Sequence, residues 1–168
     1  MVGISNESSS GKVGVFDSEG KKLESSFSSE KVPVIGIVVS GWYYDEITGP
    51  MLTAAKEGVV ESGAEVGRVI VVPGSFDIPY GVKKLCDLSG DDAVDGVVTL
   101  GAVVSGSTDH DQVICYSLTK LLMELGCAFG KPVVLGVNGP KMTKEQAIAR
   151  IPRAKEVAVA CVEMCREI

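Results

Sequence analysis

The chain has 168 residues, of which 45% are hydrophobic and 23% charged. That length and balance suit one globular domain with a real core and exclude wholesale disorder. Lys and Arg number 16 against 22 Asp and Glu, a net charge of −6, which disfavours a non-specific nucleic-acid binder but leaves room for a local basic cluster that takes a phosphorylated small molecule.

The longest apolar runs fall far short of a membrane span, and residues 1–10 are polar, unlike a secretory signal. A soluble, cytoplasmic protein is expected, with neither nucleic acid nor membrane as partner. The five cysteines, Cys86, Cys115, Cys127, Cys161 and Cys165, form no CxxC pair, and there is one histidine. A Cys/His zinc site of ordinary spacing cannot be built from them, and no metal is expected. Cys161 and Cys165 stand four apart on an expected helix and read as buried small hydrophobes in a reducing compartment.

In chain order, residues 1–31 read as an N-terminal arm rich in Ser and Lys. Short strands are expected near Val13–Phe16 and Leu23–Phe27, around a Ser18-Glu19-Gly20 turn. The arm is either partly flexible or adds an edge strand to a neighbouring subunit. Residues 32–168 form the regular domain. Its first strand is Val34–Val39, a continuous β-branched run suited to burial on both faces. A helix follows over Ile47–Ser62, with Pro50 in its first turn and Gly63 as its stop.

Val69–Val72 gives a second strand and Phe76–Leu88 a second helix. Val97–Leu100 gives a third strand, and His110–Phe129 a long helix whose inner face is expected from Val113, Tyr116, Leu118, Leu121, Leu122 and Leu125. Pro132–Val137 is the fourth strand. Thr143, with Gln146 three residues on, forms a capping box for a last helix that pauses at Pro152 and resumes to Cys165. Strand–helix alternation of this kind predicts a three-layer α/β/α sandwich around a parallel four-stranded sheet. The predicted strand order is 2-1-3-4, as in flavodoxin, with room for an added N-terminal edge strand.

Ligands of such sheets bind beyond the carboxyl ends of the strands. The only Trp and the only His fall there, as does much of the unusual polar chemistry. Gly106-Ser107-Thr108-Asp109-His110 joins a strand to a helix. It combines a permissive glycine, two hydroxyls and a helix N-terminus, a set that suits phosphate, or else a plain cap by Thr108 or Asp109. His110 is the one side chain whose unperturbed pKa lies near neutrality, so it is either a proton carrier or a surface histidine. Trp42 is either a stacking platform for a planar heterocycle or a core anchor of the rim. Asp77 either accepts from sugar hydroxyls or places charge at a helix start. Arg150, Arg153 and Lys155 cluster around Pro152, as a phosphate site or a solvated face. There is no P-loop, no GxGxxG after the first strand and no GxSxG elbow, so a dinucleotide cofactor and the usual hydrolase nucleophile are not expected.

Several ordered blocks resemble the lumazine synthase family. VVPGSFDIPYGVKKL (71–85) is similar to that family's VPGAFEIP-type block. GAVVSGSTDHDQVI (101–114) is similar to its GAVIRGETxHxxYV block, and GKPVVLGV (130–137) and TKEQAIAR (143–150) resemble two further blocks in the same order. The resemblance spans residues 34–165. It implies a transferase of riboflavin biosynthesis with two small-molecule substrates. The enzyme condenses 5-amino-6-ribitylaminouracil with 3,4-dihydroxy-2-butanone 4-phosphate to 6,7-dimethyl-8-ribityllumazine, phosphate and water. No metal or organic cofactor is implied, and the active site lies between neighbouring subunits of a homopentamer, which some members build into a 60-subunit shell.

By position, the resemblance makes Trp42 the stacking aromatic, and Ser75 and Asp77 the partners of the ring edge and ribityl chain. It makes Val103 and Val104 substrate contacts, and gives Leu135 a place over the ring. Ser107 and Thr108 become the phosphate-binding turn, Arg150 the phosphate-binding arginine of the next subunit, and His110 the proton shuttle. Three departures stand out: Gly41-Trp42-Tyr43 replaces an Arg-aromatic-Asn run, Asp77 replaces the commoner glutamate, and Ile151-Pro152-Arg153 replaces a Lys/Gly-rich segment, leaving Lys155 as a candidate for the missing charge. Rival readings are an archaeal-type riboflavin synthase, which takes no phosphorylated substrate, and a non-catalytic lumazine- or flavin-binding scaffold.

Overall fold

The computed structural model describes residues 13–23 and 31–167. Four parallel strands, β1 (Val34–Ser40), β2 (Glu65–Val72), β3 (Gly96–Ala102) and β4 (Val133–Asn138), form one sheet in the order β2-β1-β3-β4. This is the flavodoxin-like order expected from the alternating pattern. The helices are α1 (Gly49–Glu61), α2 (Ile78–Cys86), α3 (His110–Phe129), α4 (Lys144–Ala149) and α5 (Arg153–Glu167). Helices α1 and α5 pack on one face through Met51, Ala55, Val59, Ala158 and Cys161 against Ile35, Ile37, Val39 and Val98. Helices α2 and α3 cover the other through Ile78, Val82, Leu85, Leu118 and Leu122 against Val38 and Val97. The central strands β1 and β3 are sealed on both sides, which is why their sequences are almost wholly apolar, with only Ser40 and Thr99 polar. Edge strands β2 and β4 are only half covered.

Small residues set the layer spacing. A side chain at Gly81 would meet Val38 Cγ1 at 2.7 Å, and one at Gly58 would meet the Lys155 carbonyl at 2.7 Å. Glycine at these two positions lets α2 approach β1 and α1 approach α5.

Element ends differ from expectation in ways that have physical causes. Strand β2 starts at Glu65, earlier than Val69, because parallel pairing with β1 recruits polar edge residues that no hydrophobic pattern marks. Tyr44–Thr48 winds as one π-type turn before α1, and Ser75–Asp77 forms a 3₁₀ turn before α2. The last helix does break at Pro152, into α4 and α5, and Thr143 and Gln146 form the reciprocal cap.

The inner face of α3 is a correction. Val113, Tyr116 and Leu121 are exposed, and the buried stripe is Asp111, Cys115, Leu118 and Leu122. A polar residue occupies the first inward position, so hydrophobic spacing alone sets the helix phase wrongly. The arm turns where expected. Phe16 and Lys22 bridge antiparallel around residues 17–20, and Lys22 pairs with Glu167 at 2.6 Å. The rest of the predicted second strand, residues 24–27, lies outside the described residues. Cys161 is buried and Cys165 partly so, as expected of small hydrophobes. Among the described residues no helix is long and apolar enough to cross a membrane.

Candidate functional site

The carboxyl ends of β1, β2 and β3 open into a cavity of about 380 Å³ lined by Trp42, Tyr43, Pro73, Gly74, Ser75, Phe76, Asp77, Ala102, Val103, Val104, His110 and Ile114. Strand order explains the convergence. β1 and β3 are neighbours whose connections leave on opposite faces, so the chain parts above them and leaves a crevice.

Each wall has a local cause. Trp42 stands on the turn after β1 and is 66% exposed. A rim anchor would be buried, so this indole is a presented surface. The next residue, Tyr43, holds φ 58° and ψ 32°, a left-handed conformation that strains a bulky side chain. The fold over-determines it. The Tyr43 carbonyl accepts from the Ile47 and Thr48 N–H groups, Thr48 Oγ1 donates to the Ser40 carbonyl at 2.7 Å, and the Lys144 ammonium lies 5.7 Å from the Tyr43 ring centre. Lys144 is also paired with Glu46, whose hydrogen bond holds the ammonium's pKa above its ordinary value. The Trp42 and Tyr43 rings meet edge to face at 6.3 Å.

On the β2 side, Ser75 is buried and its hydroxyl has no partner. A buried hydroxyl left unpaired is costly unless a ligand completes it, and this one belongs to a cavity wall. Gly101 makes its place, since any β-carbon there would come within 2.7 Å of Ser75 Oγ. Asp77 also lines the cavity, and one of its carboxylate oxygens accepts from the Gly74 N–H at 3.0 Å. It therefore shapes its own turn and keeps a second oxygen for other partners.

His110 opens α3 and reaches the cavity. Neither Thr108 nor Asp109 caps that helix through its side chain. Asp109 Oδ1 accepts from Gln112 Nε2 at 2.7 Å instead. Ser107 and Thr108 are exposed on the turn and stand outside the lining of the Trp42–His110 cavity.

Leu135 and Arg150 do not join the Trp42–His110 cavity. They line a second hollow, about 160 Å³, together with Met51, Gly136, Val137, Asn138, Gly139, Arg153, Ala154 and Val157. Leu135 lies on the edge strand β4 and Arg150 closes α4, so both face outward past the sheet edge. Tyr43 and Phe76 fall on the strand-end rim expected from the sequence without having been given a role, and Ala102 and Ile114 were missed as cavity walls, because neighbours across loops carry no spacing signal. Sequence reasoning also misplaced Lys155. That ammonium bonds Glu61 at 2.8 and 2.7 Å, on the α1 side, and Arg153 stands beside Arg150 in its stead. The described residues contain no group of three or more metal-ligating side chains.

Sheet order, the rim cavity and its aromatic, hydroxyl and imidazole walls define a flavodoxin-like α/β protein with a candidate small-molecule cavity above its topological switch point. A family model for 6,7-dimethyl-8-ribityllumazine synthase matches residues 33–168. Curated relatives bearing that name include one from Methanothermobacter thermautotrophicus, 45% identical over 134 residues, covering 80% of this chain and 94% of the relative. Another, from Saccharolobus islandicus, is 43% identical over 143 residues, 83% of this chain and 90% of the relative. A third, from Methanopyrus kandleri, is 42% identical over 134 residues, 80% and 92% of the two chains. The chain belongs to the 6,7-dimethyl-8-ribityllumazine synthase family.

Proposed function

We propose that the protein catalyses the family reaction, joining 5-amino-6-ribitylaminouracil to 3,4-dihydroxy-2-butanone 4-phosphate with release of phosphate and two waters, and that its residues divide the work as follows. The observation that carries the reading is the cavity in which an exposed indole, an unpaired buried serine hydroxyl and the only imidazole face one another. The pyrimidine stacks on Trp42, with Ser75 taking a hydrogen bond from or to its ring edge and Asp77 accepting from the ribityl hydroxyls. Val103 and Val104 form the wall that keeps water from the ring. The phosphate lies on the turn of Ser107 and Thr108, and Arg150 of an adjacent copy closes over it, bringing Leu135 with it.

The uracil amine attacks the ketone, and loss of water gives an imine. Proton removal beside the imine expels phosphate and leaves an enol, which tautomerises. Ring closure expels the second water. His110 accepts and returns the protons of these steps. Most of the acceleration comes from holding two reactants together, since no covalent intermediate with the protein is needed. This division requires a second copy of the chain, because Arg150 and Trp42 of one copy serve different hollows, and the assembly is a homopentamer or a shell of pentamers. A cytoplasmic location suits free thiols on Cys86, Cys115, Cys127 and Cys161.

Purified protein mixed with both substrates is expected to develop lumazine absorbance, with phosphate released in equal amount. Riboflavin formed from lumazine alone would overturn this reading in favour of a riboflavin synthase. Lumazine binding without turnover would favour a binding scaffold.

A further inference from the structure

The turn assigned to the phosphate, residues 106–110, has little of its own to hold it. It is exposed from Ser105 to His110, and a β-carbon at Gly106 would touch nothing within 4 Å. The two residues that bracket it bond to each other: Ser105 Oγ donates to Asp111 Oδ2 at 2.8 Å. Asp111 is 6% exposed, a carboxylate at an inward position of α3 where the rest of the stripe is apolar. The same oxygen accepts from the Lys141 N–H at 2.8 Å, and Lys141 holds a positive φ of 56°. The Ser105 N–H in turn donates to the Met142 carbonyl at 2.9 Å. One carboxylate oxygen therefore ties three segments: the end of the β3 connection, the first turn of α3 and the link from β4 to α4.

We propose that Asp111 is a positioning residue that shapes the anion-binding turn and aims His110, a proposal that rests on the reading of the reaction given above. A loop closed at both ends gives up less freedom when it wraps an anion, so the brace lowers the cost of binding. Both donors bond to Oδ2, and their hydrogen bonds hold the carboxyl below its ordinary pKa, so it stays ionised as an acceptor and keeps the strained Lys141 N–H satisfied. The next residue along the helix is turned about 100° from its neighbour. With Asp111 locked inward, His110 is held toward the cavity rim.

The test compares the full-length wild-type chain with Asp111→Asn, Asp111→Glu and Ser105→Ala. An asparagine oxygen in the place of Oδ2 can still accept from both donors, but it has lost the charge that strengthens both bonds. Asp111→Asn is expected to raise KM for the phosphorylated butanone by about 10-fold or more while KM for the pyrimidine changes less than about 2-fold. Inorganic phosphate should lose its strength as a competitor by a similar factor. Ser105→Ala removes one bond of the brace, leaves the core intact and should give a shift of about 2- to 4-fold in the same direction. Asp111→Glu, one methylene longer, should recover part of the loss.

A merely structural role would lower melting temperature and active fraction and leave both KM values where they were. That outcome in Ser105→Ala and in folded Asp111→Asn overturns the proposal while the reaction stands. A wild-type chain that makes no lumazine overturns both.

Discussion

The two hollows of this chain differ in almost every physical respect. The first is the larger and more open, is walled by Trp42, Tyr43, Phe76, Val103, Val104 and Ile114, and carries one orphaned hydroxyl. The second is less than half that volume, opens past the edge strand, and holds Arg150 and Arg153 with no carboxylate among its lining residues. One suits a flat heterocycle with few polar edges; the other suits an anion. A single copy holds both in separate places, and in the reaction proposed above they reach one substrate pair only when two copies bring them together.

The comparison breaks most sharply with two variants. Arg150→Ala is expected to raise KM for the phosphorylated substrate by about 30- to 100-fold, the loss of a charge-assisted contact. Trp42→Ala is expected to weaken the pyrimidine about 10-fold or more and to abolish ligand-induced quenching of the single indole. Co-refolded in equal amounts, the two variants should regain about a quarter of wild-type activity, because random neighbours then build that fraction of intact composite sites. No recovery would place both hollows in service of one copy.

His110→Ala is expected to lower kcat by about 10- to 100-fold with smaller changes in KM, measured by absorbance of the product. An undiminished kcat would remove the imidazole from the chemistry and make the first hollow a binding site only.

Gly101→Ala sharpens the picture of the cavity floor. Its methyl would press on Ser75 Oγ and on Ile78 Cδ1, at 2.7 and 3.2 Å. Overpacking of this kind costs about 1–3 kcal/mol. Thermal unfolding should show that loss, and pyrimidine KM should rise as the hydroxyl is pushed aside, while phosphate competition is unchanged.

The smallest effect is expected from Tyr43→Asn. Relief of left-handed strain, about 1 kcal/mol, is set against a lost cation–π contact with Lys144 worth about 0.5–1 kcal/mol. Melting temperature should move little, and pyrimidine KM by a few-fold at most.

The legibility of the fold followed burial. Strands β1 and β3 are covered on both faces, so their residues are apolar but for Ser40 and Thr99 and announce themselves. β2 is an edge, and its first four residues, Glu65–Arg68, look like loop until pairing with β1 makes them strand. The same logic explains α3. Its limits, His110 and Phe129, are plain from the glycine and the cap region. Its rotation depends on Asp111 facing inward, which depends in turn on donors from Ser105 and Lys141, far away or around a turn.

In the site, Trp42, Ser75, Asp77, Val103, Val104 and His110 were readable because strand ends are fixed by the hydrophobic pattern and ligands gather there. Leu135 was singled out only through resemblance and Arg150 also through the basic cluster around Pro152, but their place in a second hollow was not legible. Local order is encoded in neighbours along the chain: strand runs, caps, turns and the switch point that follows from their alternation. Which side chains share a cavity, which hydroxyl is left without a partner and which carboxylate turns inward depend on close approach between segments 30 to 100 residues apart. Those approaches are set by packing, and packing exists only once the layers have closed.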